Sequence, residues 1–230
     1  MSATKEFHHD EIEQGQQAAI ADTRDYPILF DTQMVKAILS GEKTQTRRLF
    51  KSPLSMAMEP AHEIRKNKGK WIAFLKNGQS LKYPVICTYG EAGDLLWVKE
   101  TWAPAITDIA YKADYDKSVL SEKPNQGIWH PSIHMPKSAA RIWLQITGVE
   151  AQRVQSISEE DAKAEGAGVA KIFGFSPVGQ CNFRDGFFAK WISIYGIESW
   201  YENPWVWAVK FNVLPAVQNK PYFNNTLQTL

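Results

Sequence analysis

Residues 26–48, YPILFDTQMVKAILSGEKTQTRR, decide the fold. The run 26–30 is short and apolar, and Pro27 near its start suits an edge strand, because proline has no N–H to give to a ladder. Asp31 or Thr32 then caps a helix whose apolar residues Met34, Val35, Ile38 and Leu39 fall on one stripe, and Gly41 stands where such a helix ends. The helix delivers the chain into GEKTQTRR. Lys43, Arg47 and Arg48 supply cations there, and Thr44 and Thr46 supply hydroxyls, a set suited to an anion or a polarised carbonyl. The same residues also fit a plainer role, with the arginines paired to surface acids and the threonines bonding within a turn.

Working outward, 70–75 (KWIAFL), Asn77-Gly78 and 83–88 (YPVICT) predict a hairpin, and 95–99 (LLWVK) predicts a strand. Residues 103–138 carry Pro104, Pro124, Pro131 and Pro136 and read as a long loop with a short strand at 109–113. Strand alternation returns over 139–154. Ser158 followed by three acids starts a helix that Gly166 stops, Phe187, Phe188, Trp191, Ile192 and Tyr195 recur at helical intervals over 183–195, and 205–213 (WVWAVKFNV) alternates as a strand. Strands separated by long turns, with short helices between, predict an α+β domain built on a compact barrel or strongly bent sheet. The expected organisation is a mobile arm over 1–24, one domain over 25–214 and a tail over 215–230.

With 230 residues, 44% apolar and 22% charged, the chain can bury one substantial core. Its net charge is +1, but 1–25 carries −4 and 36–70 carries +6. That balance excludes a protein that coats nucleic acid by bulk charge, while leaving room for a local basic site or a solvated loop at Arg65, Lys66, Lys68 and Lys70. The N-terminal residues lack a signal-peptide layout and no run of ~18 uncharged apolar residues occurs, so a soluble, cytoplasmic protein without membrane partners is expected. Cys87 and Cys181 stand far apart and read as buried thiols. No phosphate-loop, dinucleotide, serine-hydrolase or zincin motif appears.

Gly41, Lys43, Thr46 and Arg48 match the pattern G-x-K-x-x-[E/T]-x-R, and the chain thereby resembles the ASCH domain, a PUA-like family. The Gly93-Asp94 turn, Glu100-Thr101-Trp102 and the stretch ISEEDAKAEG follow in the family's order. The segment WHPSIHMP at 129–136, ahead of Ala140-Arg141-Ile142, is similar to larger phage and prophage-type members. The resemblance spans about 26–214. It implies a PUA-like small β-barrel with flanking short helices, here with long insertions at 51–92, 103–138 and 167–180. It also implies binding of RNA or a modified nucleoside in a cleft lined by the GxKxxTxR loop.

Some small members of that family remove the acetyl group from N4-acetylcytidine, and some cleave RNA. Carried over, the amidohydrolase residues fall on Lys43, Thr46 and Glu165: Thr46 as nucleophile, Lys43 as a base with a pKa lowered by desolvation, and Glu165 as proton shuttle. Arg48 then orients the base or stabilises an oxyanion. Gly41, Thr44, Arg47, Glu100, Trp102, Trp129, His130 and His134 complete the expected ligand-binding set. For Glu100 the competing reading is an ion pair with Lys99 or Arg141. His130 and His134 have metal-ligand spacing, but Pro131 and Pro136 break the helix this would need, so no metal and no cofactor is expected. A phage accessory protein that binds a partner through its insertions, its pocket vestigial, is a third possibility. Its marks would be an exposed apolar patch over 103–138 and a buried, paired Lys43.

Overall fold

The apolar run and the stripe that follows it fold as their spacing predicts, into β1 (Asp25–Leu29) and α1 (Thr32–Leu39). The Asp31 carboxylate caps α1 by accepting from the Met34 amide at 2.8 Å, and Gly41, at φ 77°, takes the chain out of the helix. Val35 and Ile38 leave water completely, worth about 1.5–3 kcal/mol each. The computed structural model describes residues 23–50, 61–80, 85–104, 108–115, 128–170 and 182–215. Most of the expected arm, nearly all of the tail, parts of all three insertions and Cys181 lie outside these residues.

After β2 (Gln45–Leu49), strands β3 (Glu63–Asn67) and β4 (Lys70–Phe74) form a hairpin. The expected pairing of 70–75 with 83–88 is present in part, since β4 also bridges that segment at Trp71–Val85, while residues 81–84 lie outside the described residues. The two-residue turn Lys68-Gly69, with φ of 47° and 78°, has the left-handed backbone that matches strand twist, and it hands β4 to the preceding segment. The Asn77-Gly78 turn also forms, with Leu75 N donating to Gln79 O at 2.8 Å. Beyond it the described residues hold isolated bridges, Phe74 to Ser80 and Trp71 to Val85. Next come β5 (Leu95–Lys99), the small pair β6 (Trp102–Pro104) and β7 (Ile109–Tyr111), and β8 (Trp143–Arg153). Helices α2 (Glu159–Ala164), α3 (Phe183–Tyr195) and α4 (Ile197–Tyr201) precede β9 (Trp205–Val213).

The main sheet has five strands in the order β1-β5-β8-β9-β2, with β1 parallel to β5 and the other pairs antiparallel. A bulge between Ile146 and Gly148 shifts the β8–β9 register, a device that bends the strands. No ladder joins β1 to β2, so the expected closed barrel gives way to an open sheet. Chemistry at the gap explains this: Pro27 has no N–H, and the Arg48 side chain occupies the Leu29 carbonyl at 2.6 Å.

Alternation along β9 supplies two cores. Trp207, Val209 and Phe211 join Ile28, Phe30, Val35, Ile38, Leu144 and Ile146 in the larger one. Val206 faces the other way, into a smaller core with Val154, Ala162, Phe187 and Trp191 under α2 and α3. Trp205 and Trp207 share a face; Trp207 is fully buried and Trp205 half-buried. Among the described residues no helix is long and apolar enough to cross a membrane.

Candidate functional site

Strand β2 divides its side chains between the two cores, and this division builds the site. Thr46 pairs across the ladder with Val209 and Arg48 with Trp207, so both face the larger core. Arg47 and Leu49, opposite Ala208 and Val206, face the helices. The loop before β2 is pinned at three points: Lys43 N donates to Ala37 O, Thr44 N to Ala164 O, and Phe211 N to Thr44 O, each at 2.9 Å. The Thr44 contact and a backbone bridge between Lys43 and Glu165 bring the end of α2 against this loop. Gly166, at φ 72°, permits the approach, since a Cβ there would lie 3.1 Å from the Lys43 and Ala37 Cβ atoms.

Lys43 is consequently buried among oxygens. Its Nζ donates to Gln45 O at 2.8 Å, Glu165 O at 2.7 Å and Glu165 Oε2 at 3.0 Å, using all three hydrogens of an ammonium. Burial drives its pKa below the ordinary lysine value, and the Glu165 carboxylate opposes that shift. Arg47 closes the cluster from the helix side: Nη1 donates to Glu165 Oε1 at 3.2 Å, and Nη2 to Asp161 Oδ2 at 2.7 Å and Gln152 Oε1 at 2.8 Å. The Gln45 amide, in the orientation that satisfies both its atoms, donates to Asp161 Oδ1 and accepts from Arg47 Nη1.

Above this cluster lies a cavity of about 810 Å³, within the size range of small-molecule sites. Lys43, Thr46, Arg47, Arg48 and Glu165 all line it. Helix α3 contributes an aromatic and aliphatic wall of Phe187, Trp191, Ile194 and Tyr195, and Phe30 and Met34 face it from β1 and α1. At the rim Lys190 pairs with Asp31 at 2.5 Å. The hydroxyl, the ammonium, the carboxylate and two guanidinium groups thus meet around one hollow, as the GxKxxTxR pattern and the distant Glu165 led us to expect.

Other expected site residues stand elsewhere. Gly41 and Thr44 shape the loop but do not line the cavity. Glu100 is buried and gripped by Arg141, whose Nε donates to Oε1 at 2.8 Å and Nη2 to Oε2 at 3.0 Å, so the ion-pair alternative describes it. Trp102 bridges His130 through backbone bonds, their rings 5.2 Å apart, and Trp129 packs edge-on to Tyr115. His134 ends a short 3₁₀ turn. That loop reaches the cavity through Pro131 and Ser132 instead. Among the described residues no three His, Cys, Asp or Glu side chains group as a metal site. In the basic run, Arg65 stacks 4.4 Å from the Phe74 ring centroid and Lys66 pairs with Glu91.

Asp31, Phe30, Thr101, Asp161 and the α3 face were not anticipated as site residues. A signal existed for the last: Phe187, Trp191 and Tyr195 recur every four residues along one side of the helix. Comparison with family models, curated proteins and solved structures finds no match to this chain, so the family resemblance rests on the motif residues themselves.

Proposed function

We propose that the chain is a PUA-like domain of ASCH type that binds a modified nucleoside, free or within RNA, in the cavity between the Gly41–Arg48 loop and α3. One observation carries this: Lys43, Thr46, Arg48 and Glu165, brought from two distant stretches of sequence, line one open cavity with an aromatic wall. Aromatic side chains stack on bases, and a few convergent polar groups fix their orientation. Titrating the chain with N4-acetylcytidine, and with short RNAs carrying that base, tests the proposal through quenching of tryptophan fluorescence. Absence of saturable binding to every probe refutes it.

The buried Lys43–Glu165 pair beside Thr46 favours a second step, hydrolysis of an N4-acyl group. Thr46 Oγ adds to the acyl carbonyl while its proton passes to the neutral Lys43 amine. The C–N bond then breaks as the Glu165 carboxylate relays that proton from Lys43 to the departing amine, which restores the pair. Water hydrolyses the Thr46 ester, returning its proton to Thr46 Oγ and releasing the carboxylic acid. The test is the ultraviolet change as N4-acetylcytidine becomes cytidine, and a rate unaltered in Lys43→Ala removes the scheme. One of the two marks of an assembly protein, a buried and paired Lys43, is also present, and among the described residues of 103–138 the exposed large apolar side chains are Ile128 and Ile133. The open cavity weighs against a vestigial pocket.

A further inference from the structure

Arg48 is the charge that the cavity leaves over. Lys43 and Arg47 share Glu165 and Asp161, and Lys190 has Asp31, but Arg48 has no carboxylate partner among the described residues. Among the described residues its guanidinium gives one hydrogen bond, from Nη2 to Leu29 O, and it lies 4.8 Å from the Phe30 ring centroid. Its Nε is out of contact with solvent and has no acceptor among the described residues. The indole Nε1 of Trp191, a side chain that is 3% exposed and borders the same cavity, also lacks one. A guanidinium presents its donors as a planar fork that matches a phosphate or carboxylate two-pronged, and holding it in a partly desolvated site without a counter-charge is costly. A neutral carbonyl would accept a hydrogen bond there and leave the charge uncompensated.

We propose that Arg48 is an anion subsite and that the ligand is a phosphate-bearing nucleotide, as a monoester or within an RNA chain, rather than a bare nucleoside. This rests on taking the cavity as a nucleoside site. The Lys43 ammonium lies 5.8 Å from the centroid of the same Phe30 ring, so the anion and the end of the ligand near Lys43 are held at two places around a single aromatic side chain.

Stopped-flow fluorescence before turnover measures the affinity of the full chain for N4-acetylcytidine, its 5′- and 3′-monophosphates, and a dinucleotide carrying the same base. We expect at least one phosphate form to bind about tenfold more tightly than the nucleoside at low salt, with an advantage that shrinks as salt rises. In Arg48→Gln the ratio of phosphate to nucleoside affinity should fall to about one, and Arg48→Lys, a point charge without the fork, should recover part of it. A dinucleotide that outdoes both monophosphates identifies the RNA chain as the source of the anion; the reverse order identifies a monoester. Equal affinity of nucleoside and phosphate forms in the unaltered chain overturns the anion subsite while leaving the nucleoside proposal intact. Failure of every probe to bind overturns the nucleoside proposal itself. Should Arg48→Gln not fold, the salt dependence of the unaltered chain decides the matter.

Discussion

Two carboxylates in this molecule, Glu100 and Glu165, are both buried against arginine, yet their surroundings differ in kind. Glu100 receives both prongs of Arg141, whose remaining nitrogen donates to Asp114 at 2.7 Å while its guanidinium lies 4.0 Å from the Tyr111 ring centroid. That cluster serves the packing of β6 and β7 against the strand ends, and Glu100 does not border the cavity. Glu165 is shared between Lys43 and Arg47, accepts no two-pronged bond and faces open space. Burial and pairing alone therefore do not mark a functional carboxylate. Sharing between two cations beside a cavity is what supports the role proposed for Glu165.

The sharpest way to break this contrast is to remove the shared carboxylate. Glu165→Ala leaves Lys43 and Arg47 buried with Asp161 as their remaining acid, and should cost about 3–5 kcal/mol in urea unfolding. Glu100→Ala should cost less, roughly 2 kcal/mol, because the Arg141 side chain is 26% exposed and keeps Asp114. An equal or reversed order would mean that the two clusters are of one kind. Next in size is the effect on turnover: Lys43→Met should lower hydrolysis of N4-acetylcytidine by about 100-fold or more, whereas Arg141→Met should leave it within about twofold.

A pH comparison separates the clusters more finely. Because burial lowers the pKa of Lys43, the unfolded chain holds that proton more tightly than the native one, and stability attributable to Lys43 is lost as pH falls below the ordinary lysine value of 10.5. The stability of the unaltered chain relative to Lys43→Met should therefore rise as pH is raised toward that value. Against Arg141→Met no comparable slope is expected, since a guanidinium stays charged throughout. The smallest expected effect is a null one: Glu165→Gln and Glu100→Gln share no hydrogen-bond partner, and their stability changes should add within about 0.5 kcal/mol. A larger coupling would join the two regions into one network.

Much of the chain was legible because local rules agreed with one another. The Asp31 cap, the Val35 and Ile38 stripe and Gly41 all specify the same helix, and Asn182 to Gly196 frames α3 as the aromatic spacing predicts. The β3–β4 hairpin was missed because Lys68-Gly69 lacks the usual turn composition, with lysine at a left-handed position that favours glycine or asparagine. The open sheet edge could not be read, since it depends on Arg48 reaching a carbonyl 19 residues away. In the site, the motif marked Lys43, Thr46 and Arg48, and only the family resemblance, not local composition or spacing, set Glu165 apart from Glu100. Each stands near a strand or helix end with cations nearby in sequence, and the difference arises only where Arg141 meets one of them and the cavity meets the other.

The tether from Arg48 to Leu29 has a consequence for how the molecule behaves in concentrated solution. Along β1 the backbone groups of Arg24 and Phe30 turn inward to β5, which leaves Asp25, Pro27 and Leu29 on the outer side. Proline offers no donor there and the Leu29 oxygen is already taken, so an incoming strand from another copy would find neither a continuous row of donors nor a free acceptor at the end of the row. The margin at which the sheet stays open thus offers a strand from another copy little to pair with along β1.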